Sequence, residues 1–400
     1  MAAGLLLAAC ATVPRPVDGD PRARVARLLR AAPLVDGHND LMVHYVGCGE
    51  GCPRGLEAYD LAAATEGQTD IPRWRRGMLG AQLLNAGWHD NDAPTLAGTL
   101  QGLDFVRALV ARHPRDLALA RNSGDVRRAH AGGRIAVLPA LEHPGRLGAD
   151  EATVRRLAAA GLRSNILAYD KASALADGHV GPPTHGGLSP LGRRMVGWMQ
   201  AHGILVDLSH ASADTMRDVL GIAAAPVIFS HSNAAALCDV PRNVPDDVLR
   251  RLRGNGGVVM VAFVPYFASK PFADWMARGD AQWDALLLRH GGDRGKAEPV
   301  MARWERENPA PAVSIGLVAD HIEHVRDVAG IDHVGIGSDF DGIAFTVDGL
   351  DDASTYPRLF EELARRGWSD ADLRKLAGEN FLRVLDAADA AARKAAPAAG

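Results

Sequence analysis

Short, nearly unbroken apolar runs alternate with longer segments of helical spacing along most of the chain. The runs fall at 33–38, 79–84, 135–141, 162–168, 204–208, 227–229, 258–263 and 334–336. Each has strand length and no polar alternation, the pattern of parallel strands covered on both faces. Between them, 96–112, 150–160, 189–202, 212–221, 245–253, 313–329 and 355–366 repeat apolar positions at helical spacing, and 25–29 reads as a shorter helix. About eight such strand–helix units predict an α/β protein, a closed (β/α)8 barrel of the TIM type rather than an open sheet.

Two segments break the rhythm. Residues 177–187, DGHVGPPTHGG, form a Gly/Pro-rich loop after the fourth strand. Residues 270–312 keep helical spacing and end in Asn308-Pro309-Ala310-Pro311, which predicts a helical insertion closed by a proline linker. Trp275, Trp283 and Trp304 are expected to pack its helices together. One more helix is expected over 370–384. The expected organisation is a leader and tether over 1–21, a hydrolase-type barrel over 22–385 and an Ala-rich tail over 386–400.

Leu5-Leu6-Leu7-Ala8-Ala9-Cys10 resembles the processing site of a bacterial lipoprotein, with Cys10 as the lipidated residue and 11–21 as tether. An exported protein, periplasmic or anchored to a membrane by lipid, is expected from it. The positive segment that usually precedes such a run is missing, so the expectation includes a translation start upstream of Met1. Export would allow Cys48 to pair with Cys52, although so short a loop strains a disulfide.

Composition narrows the classes. Of 400 residues, 47% are hydrophobic and 23% charged, a globular balance with ample core. Lys and Arg number 44 against 48 Asp and Glu, a net charge of −4, and no basic run occurs; a nucleic-acid partner is not expected. No apolar stretch reaches the length of a membrane span. Four cysteines with one close pair exclude both a disulfide scaffold and a cysteine-built structural zinc site.

The polar residues collect where the strands end. In a barrel of this type the C-terminal strand ends carry the chemistry. The first strand ends Asp36-Gly37-His38-Asn39-Asp40, and residues two apart in extended backbone share a face, so His38 and Asp40 can hold one ion. The third ends at Glu142, the fifth at Ser209-His210, the sixth at Ser230-His231-Ser232, and the eighth at Ser338-Asp339-Phe340-Asp341. Imidazoles and carboxylates together suit zinc, and a carboxylate has two oxygens with which to bridge two ions.

These segments, with Gly187-Leu188-Ser189-Pro190-Leu191-Gly192 and Arg242-Asn243-Val244-Pro245-Asp246-Asp247, occur in an order that resembles the renal (membrane) dipeptidases, binuclear zinc barrels of the amidohydrolase type. The resemblance runs from about residue 30 to 385. It implies two zinc ions bridged by Glu142 and a water or hydroxide, one held by His38 and Asp40, the other by His210 and His231. It implies Asp339 as the group that takes the water's proton and passes it to the leaving amine, and Arg242 as the partner of the dipeptide's carboxylate. A homodimer is the family's common state. Three departures accompany it. Tyr169 stands where the family has a substrate-binding histidine within a Thr-His-Asn/Ser segment, so Tyr169 is the expected substrate contact, with His179 or His185 as substitutes. His143 is displaced from the histidine that usually follows the bridging glutamate. Leu83-Leu84 replaces an aromatic pair.

The expected activity is therefore zinc-dependent hydrolysis of dipeptides. The alternatives are a specialised amide hydrolase or tailoring enzyme acting on a modified peptide, suggested by Tyr169, and a peptide-binding protein without turnover. Other chemistries find no support. His321-Ile322-Glu323-His324 lacks the H-E-x-x-H order and reads as a helix-surface or capping cluster, Gly335-Ile336-Gly337 lacks the third glycine of a dinucleotide loop, and no P-loop or nucleophile elbow occurs. Ser209 and Ser232 are expected to support their neighbouring histidines, and Cys238 to be a buried small residue.

Overall fold

The computed structural model describes residues 20–45, 55–87 and 95–395. Cys10, Cys48 and Cys52, with the expected lipidation and pairing, lie outside them. The strands are β1 (Leu34–Asp36), β2 (Leu79–Asn85), β3 (Leu117–Leu119), β4 (Ile135–Leu141), β5 (Ser164–Ile166), β6 (Leu205–Asp207), β7 (Ile228–Phe229), β8 (Val258–Val261) and β9 (Val334–Ile336). All pairings between them are parallel, in the order β2-β1-β9-β8-β7-β6-β5-β4, and the pairing of β2 with β4 closes the ring. The chain is thus the expected closed eight-stranded α/β barrel with surrounding helices. β3 is an addition to the predicted set, paired with the early half of β4. Its three residues, with Leu119 39% exposed, are too few to carry a period.

Local chemistry sets where the helices begin. Ser189 accepts from Gly192 N with Pro190 in the first turn of the helix Pro190–Ala201, and Ser212 does the same for Thr215 N ahead of Ala213–Ile222. Asp246–Asn255 stops at Gly256, whose φ of 83° suits only glycine without strain.

Val35, Ala81, Leu83, Ala136, Leu138, Leu205, Ile228, Val258 and Met260 belong to one buried cluster that also takes in Phe381, Leu382, Leu385 and Ala388. The helix expected to end at 384 extends further: Asn380–Ala395 runs past residue 386, with Leu385 and Ala388 buried. The insertion forms Lys270–Arg289 and Arg294–Glu307. Trp275 lies 5.9 Å from Trp304 and 5.4 Å from Phe345, while Trp283 sits under the Arg294 guanidinium at 5.4 Å. Among the described residues no helix is long and apolar enough to cross a membrane.

Register beyond the strands sets up the polar end of the barrel. β2 pairs with β4 up to Asn85↔Ala140, which carries Asn85 beside Glu142. β1 meets β9 at Asp36↔Ile336, and the ladder continues through a bridge between Asn39 and Phe340. Asp36 ties this corner together. It accepts from Ser338 N at 2.6 Å, Ser338 Oγ at 2.7 Å, Tyr356 Oη at 2.7 Å and Gln82 Nε2 at 2.9 Å, while complete burial pushes its carboxyl up.

Candidate metal centre and substrate pocket

Five strand ends, those of β1, β4, β6, β7 and β9, deliver six side chains to one point. Glu142, after β4, is buried at its centre, and its two oxygens face different groups. Oε1 lies 2.8 Å from His210 Nε2 and 3.2 Å from His231 Nε2. Oε2 lies 3.6 Å from His38 Nε2, which is itself 3.3 Å from Asp40 Oδ2 and 3.9 Å from Asp339 Oδ1. His210 Nε2 and His231 Nε2 are only 3.0 Å apart.

Hydrogen bonds at the far side of the rings say which atoms these are. His210 Nδ1 is 3.1 Å from Asp170 Oδ1, an acceptor, which assigns the proton to Nδ1 and leaves a lone pair on Nε2. His231 Nδ1 is 2.8 Å from Ser230 Oγ, a group able to accept a hydrogen bond from that nitrogen in the same way. Lone pairs on two imidazoles and a carboxylate, all within 3.2 Å of one another, repel unless a cation lies between them. Ligand atoms about 2.1 Å from zinc in a tetrahedron are roughly 3.4 Å from each other, so the donor set fits that ion. His38, Glu142 and His231 form one compact donor group, and His38, Asp40 and Asp339 a second.

The electrostatics follow from burial and mutual proximity. Burial works to raise the Glu142 carboxyl, but His38, His210 and His231 outweigh it and hold it well below the usual range. Burial works to lower His38, and Glu142 and Asp40 reverse that and raise it. His231 is held down by burial, with His38 and Arg242 adding to the effect. Asp339 is pushed up by burial, reinforced by Asp40 and Glu142.

The backbone is bent to make this arrangement. His210 and Asp339 have φ of 66° and 68°, left-handed values that non-glycine residues adopt rarely and at functional sites. Gly342 passes so close that a Cβ there would collide with Asp40 Oδ2 and Asp339 Oδ1.

A pocket of about 500 Å³ opens over the cluster, lined by Tyr169, Asp170, His179, Arg242, Tyr266 and Phe267 besides the acidic residues. Arg242 is buried, donates to Ser232 Oγ (2.7 Å) and His231 O (3.0 Å), and lies 4.9 Å from the Phe267 ring. No carboxylate among the described residues is within ion-pair distance of it, and its Nε has no partner there. Tyr169 stacks on His210 at 4.4 Å between ring centroids. Glu142 and then burial keep its phenol protonated by raising it far above its ordinary value.

Every expected site residue within the described chain therefore meets here: His38, Asp40, Glu142, His210, His231, Asp339, Arg242 and Tyr169. Of the two histidines named as substitutes for the family's, His179 lines the pocket and is lowered to about 4 by burial, whereas His185 is turned to Ser173 O at 2.9 Å. Ser209 Oγ accepts from His231 N, and Ser232 serves Arg242 rather than a histidine. His321 is not a surface group as expected: it is buried, accepting from Ala234 N at 3.1 Å and bonded to Ala268 O at 3.1 Å. Cys238 is buried as expected. Sequence reasoning missed Asn85, Asp170 and Ser230. Asn85 Nδ2 donates to Asp40 Oδ1 at 2.7 Å, and its Oδ1 accepts from Glu142 N at 3.2 Å. Its only signal was a polar residue closing an apolar strand.

The chain matches the family model described as membrane dipeptidase (peptidase family M19) over residues 22–398. It is 34% identical over 388 residues to Dipeptidase verJ of Clonostachys rogersoniana, covering 94% of this chain and 89% of that one. Dipeptidase aclJ of Aspergillus oryzae is 33% identical, with 94% and 82% covered. Among solved structures, the probable dipeptidase PvdM from Pseudomonas aeruginosa superposes with a TM-score of 0.77 at 25% identity, covering 93% of this chain and 99% of that one. A metallo peptidase from Rhodobacter sphaeroides, liganded with a phosphinate mimic of the dipeptide L-Ala-D-Ala, shares the fold with a TM-score of 0.72 at 24% identity, covering 89% and 99%.

Proposed function

From the premise that this chain belongs to the membrane dipeptidase family, peptidase family M19, and is a metallo-dipeptidase, we propose that it hydrolyses dipeptides with two zinc ions shared across Glu142. The observation that carries this reading is the division of the Glu142 oxygens, Oε1 toward His210 and His231 and Oε2 toward His38. Zinc bound there supplies a Lewis acid for the carbonyl and lowers the pKa of an attacking water.

The chain's own groups do the rest. Arg242, a buried cation with no carboxylate within ion-pair distance among the described residues, offers its fork to the substrate's terminal carboxylate, and a pocket of about 500 Å³ limits what extends beyond it. Asp339 sits beside His38 and Asp40, where it accepts a proton at a carboxylate oxygen and returns it to the departing amine. Burial alone would keep Asp339 protonated; two cations next to it favour the carboxylate that this role needs. Tyr169 keeps its proton and so serves as a neutral hydrogen-bond donor toward a developing oxyanion.

Tyr169 also supports the second reading, a specialised hydrolase acting on a modified peptide or other small amide, because it changes the pocket wall while the candidate ligands are intact. Metal analysis combined with a dipeptide panel, including substrates with a D-residue at the C-terminal position, separates the two. Broad cleavage with two zinc ions bound supports the first; two zinc ions with no dipeptide cleaved supports the second; no zinc refutes both. Export and lipid attachment at Cys10 belong to the proposal on the strength of Leu7-Ala8-Ala9-Cys10 alone, and the mass of the mature N-terminal peptide tests them.

A further inference from the structure

We propose that Tyr169 and Asp170 act together as a clamp on His210, with Asp170 as a positioning carboxylate that fixes the ring's proton on Nδ1 and aims Nε2 at the metal pair. This rests on the reading of His210 as a metal ligand. It concerns residues that depart from the family pattern: the Thr-His-Asn/Ser segment there has become Ala168-Tyr169-Asp170.

The loop after β5 holds His210 on three sides. Tyr169 covers one ring face, with centroids 4.4 Å apart and planes 21° from parallel. Asp170 Oδ1 takes the edge at Nδ1, 3.1 Å away. From the same loop, His179 N donates to His210 O at 3.0 Å, holding the backbone. His210 needs that support. Its φ of 66° is a strained value for a residue with a Cβ, and a relaxed backbone would swing the ring away from Glu142. His231 is held differently, by the neutral Ser230 Oγ at 2.8 Å and from ordinary strand-end backbone. The two imidazoles beside Glu142 Oε1 thus differ in kind: one is backed by a carboxylate, the other by a hydroxyl.

A carboxylate behind a ligating imidazole fixes its tautomer and makes its other nitrogen more basic, and losing such a partner typically costs about 10–100-fold in metal affinity. Asp170 suits the role because its side chain is about half exposed, at 49%, so an ionised carboxylate there is not an isolated buried charge.

The test is zinc binding, measured by chelator competition on stripped and reloaded protein for wild type, D170A and D170N, with thermal unfolding of each metal-free form. Wild type is expected to bind two ions. D170A is expected to weaken one of them about 10–100-fold, leave the other unchanged, and leave the metal-free melting temperature unchanged. D170N keeps a neutral acceptor for Nδ1 and is expected to fall between the two. Affinity for both ions unchanged from wild type in D170A overturns the clamp. So does loss of both ions together with a lowered metal-free melting temperature, which marks a general structural role. A third bound ion that disappears in D170A and in H179A also overturns it, because Asp170, His179 and His210 would then be ligands themselves. A wild type that binds no zinc refutes the metal reading instead, so the two failures are distinguishable.

Discussion

Replacing Arg242 with methionine should separate activity from stability. The guanidinium is buried, among the described residues makes hydrogen bonds only to the neutral acceptors Ser232 Oγ and His231 O, and faces a pocket whose carboxylates all lie beyond ion-pair distance of it. A dipeptide carboxylate in that fork would make charge-assisted bonds, each worth about 1.5–3 kcal/mol, and truncating one partner of a buried charged pair costs about 2–5 kcal/mol. Taking about 3–4 kcal/mol for R242M, kcat/KM for dipeptides with a free C-terminal carboxylate should fall roughly 10²- to 10³-fold. C-terminal dipeptide amides cannot use the fork, so their already low kcat/KM should barely change, and the preference for the acid over the amide should collapse. R242K should recover part of it, since a lysine restores charge without the fork. Stability should move the other way or not at all. Burial lowers the Arg242 pKa, a sign that desolvation disfavours the cation, and methionine removes that cost while leaving two acceptors short by about 1 kcal/mol each. The assay is a set of kcat/KM values for matched acids and amides, beside thermal unfolding of both proteins. An unchanged acid-to-amide ratio in R242M would refute the role assigned to Arg242.

Other perturbations probe the remaining groups. E142A should lower zinc affinity by more than the roughly 10–100-fold expected for an outer partner, with activity lost in parallel, and retention of two tightly held ions contradicts the bridge. Y169F should reduce kcat by about 10²-fold with little change in KM if the phenol donates to an oxyanion; an unaltered kcat removes it from that role. His321 supplies a pH dependence away from the site. Burial lowers it to about 4, so the unfolded chain takes up a proton first as pH falls. Its contribution is whole above the ordinary value near 6.5 and is lost as pH falls toward 4, on the order of 3 kcal/mol in all. Denaturant unfolding of the metal-free protein should therefore show a shallower decline from pH 7 to 5 in H321Q than in wild type, and equal slopes would defeat the assignment.

The barrel and its candidate ligand positions were legible for a common reason. Strands covered on both faces leave unbroken apolar runs, and the side chains that do chemistry follow at once, as in Val35-Asp36-Gly37-His38 or Val206-Asp207-Leu208-Ser209-His210. What was hidden depends on contacts across the ring. Asn85 is 57 positions from Glu142 and Asp170 is 40 from His210, and a lone amide or carboxylate carries no sign of its partner. His321 read as a surface group because its helix shows polar neighbours, while its two backbone partners, Ala234 and Ala268, lie on other segments. The left-handed backbone at His210 and Asp339 leaves no trace in composition, because neither residue is glycine.

Because His38 meets both Glu142 and Asp339, the candidate ion site built on His38 and Asp40 is not finished until almost the whole barrel has formed. A growing chain presents His38 and Asp40 long before the last strand is synthesised, and until that strand arrives those two have no Asp339 beside them. If the site loads as proposed, filling of the His38–Asp40–Asp339 group is a late event in maturation, and an ion bound there would rivet the first strand to the last. Chelation should therefore be felt as a weakening of the seam between β1 and β9, far more than as a local defect in any one loop.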